Sequence, residues 1–136
     1  MAFLLDTNVL SELRKGARCD SKVRQWAIST MHARHCLSVL SLGEIRKGIE
    51  LLRRKSPAQC QAFERWLGQL LRDYDQEILP VTEAISERWG NMMATQTIPV
   101  IDGLIAATAI EHGLTVVTRN THDFLSSGVP LLNPFL

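Results

Sequence analysis

Asp6, Glu44, Asp102 and Asp123 each stand where a short apolar run gives way to a helix-like pattern. Asp6 follows Ala2-Phe3-Leu4-Leu5, and Asp123 closes a Thr-Arg-Asn-x-x-Asp-Phe stretch, Thr118 to Phe124, that follows Thr115-Val116-Val117. In an open parallel sheet the ends of such runs lie along one rim, and ligands bind in the crevice there. Acids distant in sequence would then meet as one cluster, which repels itself unless it shares protons or holds a hard cation. Mg²⁺ suits such a set, because it takes oxygen ligands only and keeps several positions for water and substrate phosphate. Mn²⁺ is the usual substitute.

Singly, each acid has an innocent explanation. Asp6 fits a helix N-cap, and Ser41-Leu42-Gly43-Glu44 fits a capping box with Ser41 as cap and Glu44 returning a hydrogen bond. Asp102 and Asp123 would fall in first helical turns, where the macrodipole favours negative charge. Together the explanation weakens. Asp102 opens the most apolar helix and Asp6 ends an apolar strand, so both are expected to be half-buried. A carboxylate there costs several kcal/mol without compensation, on the order of what any buried ion costs.

Strands and helices alternate along the chain. Strands are expected at Ala2 to Leu5, Cys36 to Val39, Ile78 to Val81 and Thr115 to Thr118, with Leu131-Leu132 as a final edge strand. Helices are expected at Thr7 to Arg14, Lys22 to Met31 and Leu42 to Arg54, the last with Leu42, Ile45, Ile49 and Leu52 on one stripe. Pro57 suits the first turn of the next helix, where Phe63, Trp66, Leu67, Leu70 and Leu71 repeat at three and four residues. Ile85, Trp89, Met92 and Met93 mark another, and Asp102 to His112 is apolar almost all round, as a helix lying deep against a sheet must be. The alternation predicts a three-layer α/β/α sandwich with a central, mainly parallel sheet, in one domain spanning residues 1–136.

Composition agrees with a chain that folds. Apolar residues make up 46%, and no apolar stretch approaches the roughly 18 residues of a membrane span. The N-terminus lacks a signal-peptide layout, which makes a cytoplasmic protein the default. Cys19, Cys36 and Cys60 have no zinc-site spacing and read as reduced structural thiols. Net charge is +1; sequestering the four acids leaves ten acidic against 15 basic residues, an excess that favours a polyanion. Arg14, Lys15, Arg46, Lys47 and Arg119 lie within one or two turns of a motif acid and are candidate phosphate contacts, or else ordinary solvated charges.

Four blocks carry a family resemblance: Asp6 to Glu12 (DTNVLSE), Ser41 to Ile49 (SLGEIRKGI), Ile98 to Ala109 (IPVIDGLIAATA) and Gly113 to Phe124 (GLTVVTRNTHDF). In this order they resemble the PIN-domain nucleases, most closely the VapC/FitB-type toxins of bacterial toxin–antitoxin pairs, also called plasmid-stability proteins. The resemblance runs from Met1 to the Pro130–Pro134 tail. It implies a metal-dependent endoribonuclease whose acidic quartet is Asp6, Glu44, Asp102 and Asp123. Asp6 and Asp102 would hold the metal directly or through water, with Thr7, Asn8, Thr118 and Asn120 in support. Metal would polarise the scissile phosphate, and Glu44 would orient or deprotonate a water, leaving a 3′-hydroxyl and a 5′-phosphate. The resemblance further implies an RNA substrate, a VapB/FitA-like antitoxin that lays a peptide along a groove, a homodimer, and operator DNA bound only through the antitoxin. Gly103 departs from it, standing where similar chains often carry Ala. A His122-Asp123 pair with His32 or His35 would suit a helical HD-type phosphohydrolase, but Thr115 to Thr118 reads as a strand and the other acids would go unused. A different class of reading is a non-catalytic interaction module, acting in a repressor or antitoxin complex through its hydrophobic hairpin.

Overall fold

The computed structural model describes residues 1–136. Five strands, β1 (Ala2–Leu5), β2 (Arg34–Ser38), β3 (Ile78–Leu79), β4 (Thr115–Val117) and β5 (Leu131–Leu132), form one sheet in the order β3-β2-β1-β4-β5. Every neighbouring pair is parallel, with Leu4 opposite Cys36 on one side and Val116 on the other. The chain grows outward from β1 to β3 and then returns to the other side of β1 to build β4 and β5. The order therefore reverses between β1 and β4, and the crevice beyond their carboxyl ends is where such a fold opens for a ligand.

Period-two alternation assigns each strand residue to a layer. Phe3, Leu5, Leu37 and Val117 face one core, closed by Val9 and Leu10 of α1 (Thr7–Leu13), Ile45 and Ile49 of α3 (Val39–Lys55), and Leu67 and Leu70 of α4 (Pro57–Asp73). Leu4, Cys36 and Val116 face the other, closed by Ile105, Ala106 and Ala109 of α6 (Val100–His112) together with Phe124 of α7 (Thr121–Phe124). This is the expected α/β/α sandwich. No helix is long and apolar enough to cross a membrane.

The remaining helices are α2 (Ser21–Ser29), capped by Asp20, which accepts from the amides of Lys22 and Val23, and α5 (Glu83–Met93), capped by Thr82. Trp26 of α2 stacks on His35 at 5.3 Å and meets Phe3 edge-on at 5.4 Å, anchoring α2 to the sheet. Gly103 has a positive reason to be glycine: a Cβ there would lie 3.1 Å from both Trp89 Nε1 and Met93 Sδ, so its absence lets α5 seat against α6.

One local expectation is corrected. Ser41 caps nothing. β2 runs to Ser38, whose Oγ accepts from the Leu40 amide at 3.0 Å, so α3 springs from the strand three residues earlier than predicted. Ser38 carries the same capping chemistry as Ser41, and continuity with the strand decides between them. Glu44 thereby falls in the second turn of α3 and is not tied back to its own helix start.

Candidate active site

β1 stops at Leu5, and Asp6 leaves the sheet with extended backbone to cap α1. Its Oδ1 accepts from the Thr7 amide at 2.9 Å. Its Oδ2 accepts from Asn8 Nδ2 at 3.2 Å and from the Thr118 hydroxyl at 2.8 Å. Asp6 is 7% exposed. Burial pushes its carboxyl above the usual range, the hydrogen bonds from Thr118, Thr7 and Asn8 pull it back, and the charge of Asp123 adds a small push upward. A carboxylate offers about four lone-pair positions, and three of these are used here, so roughly one remains to face the crevice.

Thr118, fully buried just beyond β4, is the hub of this network. Its oxygen also accepts from Asn8 Nδ2 at 3.2 Å and from the Asn120 amide at 3.0 Å. Asn8 Oδ1 in turn accepts from the Arg119 amide at 3.0 Å. The Asp6-Thr7-Asn8 opening and the Thr118-Arg119-Asn120 turn are thus locked into one unit, and neighbouring strands β1 and β4 bring them together. Thr7 ties in the third segment by donating from Oγ1 to Glu44 Oε1 at 2.8 Å.

Asp102 lies in the first turn of α6, half-buried and without a hydrogen-bond donor. The helix terminus favours its charge, yet its pKa is pushed up to about 6. Burial is the main cause, followed by the charges of Asp6, Asp123 and Glu44. Three other acids acting on one carboxyl is the signature of a shared site. Asp123, on α7, is exposed, and its side chain borders a shallow depression beside Pro99. None of the four acids has a Lys or Arg ion partner. No three acidic, His or Cys side chains stand close enough together to hold a metal ion. The four acids stand without a basic counterion, and His122 lines the same depression as Asp123.

The PIN domain family profile matches residues 3–126. The chain belongs to the PIN-domain family. It is 34% identical to the VapC ribonuclease Y4jK of Sinorhizobium fredii, over 97% of this chain and 96% of that one. The crystal structure of FitAcB from Neisseria gonorrhoeae superposes with a TM-score of 0.87 at 32% identity, covering 98% of both chains. A toxin–antitoxin complex from Klebsiella pneumoniae gives a TM-score of 0.69 at 26% identity, again over 98% of each chain.

The basic candidates of this PIN domain occupy different settings. Arg119 projects from the locked turn, its guanidinium 4.3 Å from the Phe135 ring and its carbonyl accepting from Asn133 Nδ2 at 3.4 Å. Sequence reasoning missed Asn133 and Phe135; the Asn133-Pro134 turn was the available signal. Arg14 lies 4.0 Å over Phe63. Lys47 borders an open cleft with Glu44, Leu51 and Ile101. Arg46 is held by Glu50 and Glu64.

A groove of about 340 Å³ opens beside the acids of the PIN domain. Thr7, Ser11 and Glu44 form its polar end, and Ile45, Ile49, Leu52, Phe63 and Trp66 its apolar wall.

Proposed function

We propose that this chain is the toxin of a toxin–antitoxin pair and acts as a Mg²⁺-dependent endoribonuclease. The observation that carries the reading is the Asp102 carboxyl, driven up to about 6 by burial and three neighbouring acids with no cation of the protein to offset them. The carboxylate oxygens of the four acids are the donor type a hard cation takes, and such an ion keeps further positions for water and phosphate. Asp6 and Asp102 would hold Mg²⁺, or Mn²⁺ in its place, directly or through water. When bound, the ion would neutralise charge on the scissile phosphate and acidify a water.

The chain's own groups divide the remaining work. Glu44 keeps one oxygen on Thr7 and has the other free to take a proton from the attacking water. The water oxygen bonds to phosphorus, the P–O3′ bond breaks and the departing 3′ oxygen takes a proton from solvent, so the products are a 3′-hydroxyl and a 5′-phosphate. Asp123, exposed at the rim, completes the negative field. Arg119, aligned on Phe135, is the best-placed group to bind a flanking phosphate.

The groove supports a peptide partner. An antitoxin of the VapB/FitA kind would lay an apolar anchor against Phe63 and Trp66 and direct a basic side chain toward Glu44. A homodimer, action in the cytoplasm, and operator DNA contacts made through the antitoxin complete the proposal. Incubating purified protein with structured RNA in Mg²⁺ and in EDTA tests it. Chelator-sensitive cleavage is expected, and no cleavage across several RNAs would support the interaction-module reading instead.

A further inference from the structure

We propose that Arg46 and Arg53 form an auxiliary docking site for an RNA phosphodiester, held shut in the free protein by the Glu64 carboxylate standing where a phosphate would bind. Arg46 Nη1 and Nη2 donate to the two oxygens of Glu64 at 2.6 and 3.0 Å. Arg53 Nη2 donates to the same Glu64 Oε1 at 2.8 Å. Two guanidiniums on one planar anion, one of them through both of its terminal nitrogens, is the donor pattern that also recognises phosphate. Glu50 accepts from both arginines and keeps them aligned whatever anion lies between them.

The contact adds little to the hairpin itself. Ile45, Ile49, Leu67 and Leu70 already bury α3 against α4, and the four charged side chains are between 36% and 51% exposed. Ion pairs that open to water contribute little, so exchanging one anion for another is cheap. The surroundings favour that exchange. From residue 46 to 65 the chain carries Arg46, Lys47, Arg53, Arg54, Lys55 and Arg65 against only Glu50 and Glu64. The site also lies on the helix that bears Glu44; at about 1.5 Å per residue, Glu50 is about 9 Å further along its axis. At about 100° per residue Arg46 and Arg53 point to the other side of α3 from Glu44, so RNA would reach them from the crevice by crossing the exposed Lys47.

This inference rests on RNA as the substrate, and its test is a binding measurement in EDTA, where metal-dependent cleavage plays no part. A fluorescent single-stranded RNA is titrated with wild type, Glu64→Gln, Arg46→Gln, Arg53→Gln and, as control, Glu111→Gln, which frees Arg88 elsewhere. Glu64→Gln is expected to bind about 3- to 10-fold more tightly, with a salt slope steeper by about 0.7, the increment for one more phosphate contact. Each arginine variant is expected to weaken binding about 3-fold or more and to flatten the slope, while Glu111→Gln matches wild type. Unchanged affinity in Glu64→Gln, or an equal gain in Glu111→Gln, overturns the gate. Arginine variants that bind like wild type overturn the site, even where wild type cleaves RNA in Mg²⁺. The expected binding pattern without any cleavage would sink the nuclease reading and leave the docking site standing.

Discussion

The Thr118 hydroxyl donates to Asp6 Oδ2 across 2.8 Å, joining residues 112 positions apart at the reversal point of the sheet. Of the hydrogen bonds that hold the Asp6 carboxyl down against its burial, it lowers the pKa most. Replacing the hydroxyl with a methyl would strand Asp6, Asn8 and the Asn120 amide together. Thr118→Val is therefore expected to cost about 1–3 kcal/mol in urea unfolding, the usual cost of an unsatisfied buried polar group. Thr118→Ser should recover most of it. Equal stability of the Val and Thr proteins would contradict the role assigned to this hydroxyl.

Asp102 presents the opposite case: no hydrogen bond or ion pair rewards its charge, and burial and the neighbouring acids outweigh the helix terminus. Asp102→Asn is expected to abolish cleavage yet raise thermal stability in EDTA at pH 7. The gain is expected to be about 1 kcal/mol or less, because a half-exposed group is screened by solvent. The folded protein holds the Asp102 proton up to about pH 6, against an ordinary value of 3.8. Its favourable contribution is thus complete below about pH 4 and lost as pH rises through 6. Melting curves of mutant and wild type should coincide near pH 4 and separate by pH 7. A destabilised mutant at pH 7 would refute the like-charge argument.

Asp6→Asn should behave differently from Asp102→Asn. An amide can keep the Thr7 contact, but its NH₂ would face two donors, Asn8 Nδ2 and the Thr118 hydroxyl. Loss of cleavage accompanied by a loss of about 1–3 kcal/mol is expected, read by activity and by denaturation of the same preparation.

Metal and protons should compete. Because a cation binds the ionised form, the rise in melting temperature caused by Mg²⁺ is expected at pH 7.5 and should shrink markedly by pH 5. A shift independent of pH would place any bound ion away from Asp102.

Gly103 offers a packing test. Ala gains helix propensity of about 1 kcal/mol but squeezes Trp89 and Met93, so Gly103→Ala should change stability by less than about 0.5 kcal/mol. Gly103→Val, with no space for its methyls, should lose about 2 kcal/mol or more. A Val variant as stable as wild type would mean that α5 can move away freely.

Local pattern made much of this protein readable from its sequence. Short apolar runs marked β1 and β4, the Phe63–Leu71 stripe marked α4, and the four acid-bearing blocks identified the catalytic candidates. These signals are legible because strand and helix periods act over a few neighbouring residues. What the tertiary structure decided was long-range. Pairing β1 with both β2 and β4 seats the Asp6 and Thr118 segments side by side, and α3, which starts directly at the end of β2 with Ser38 as its cap, brings Glu44 to Thr7. It also engaged Arg46 with Glu64 and set Arg119 over Phe135, contacts between segments whose spacing encodes no mutual distance. Charge alone cannot announce its partner: a lysine or arginine looks the same in sequence whether it meets a carboxylate, an aromatic ring or water, and only the packed chain selects among them.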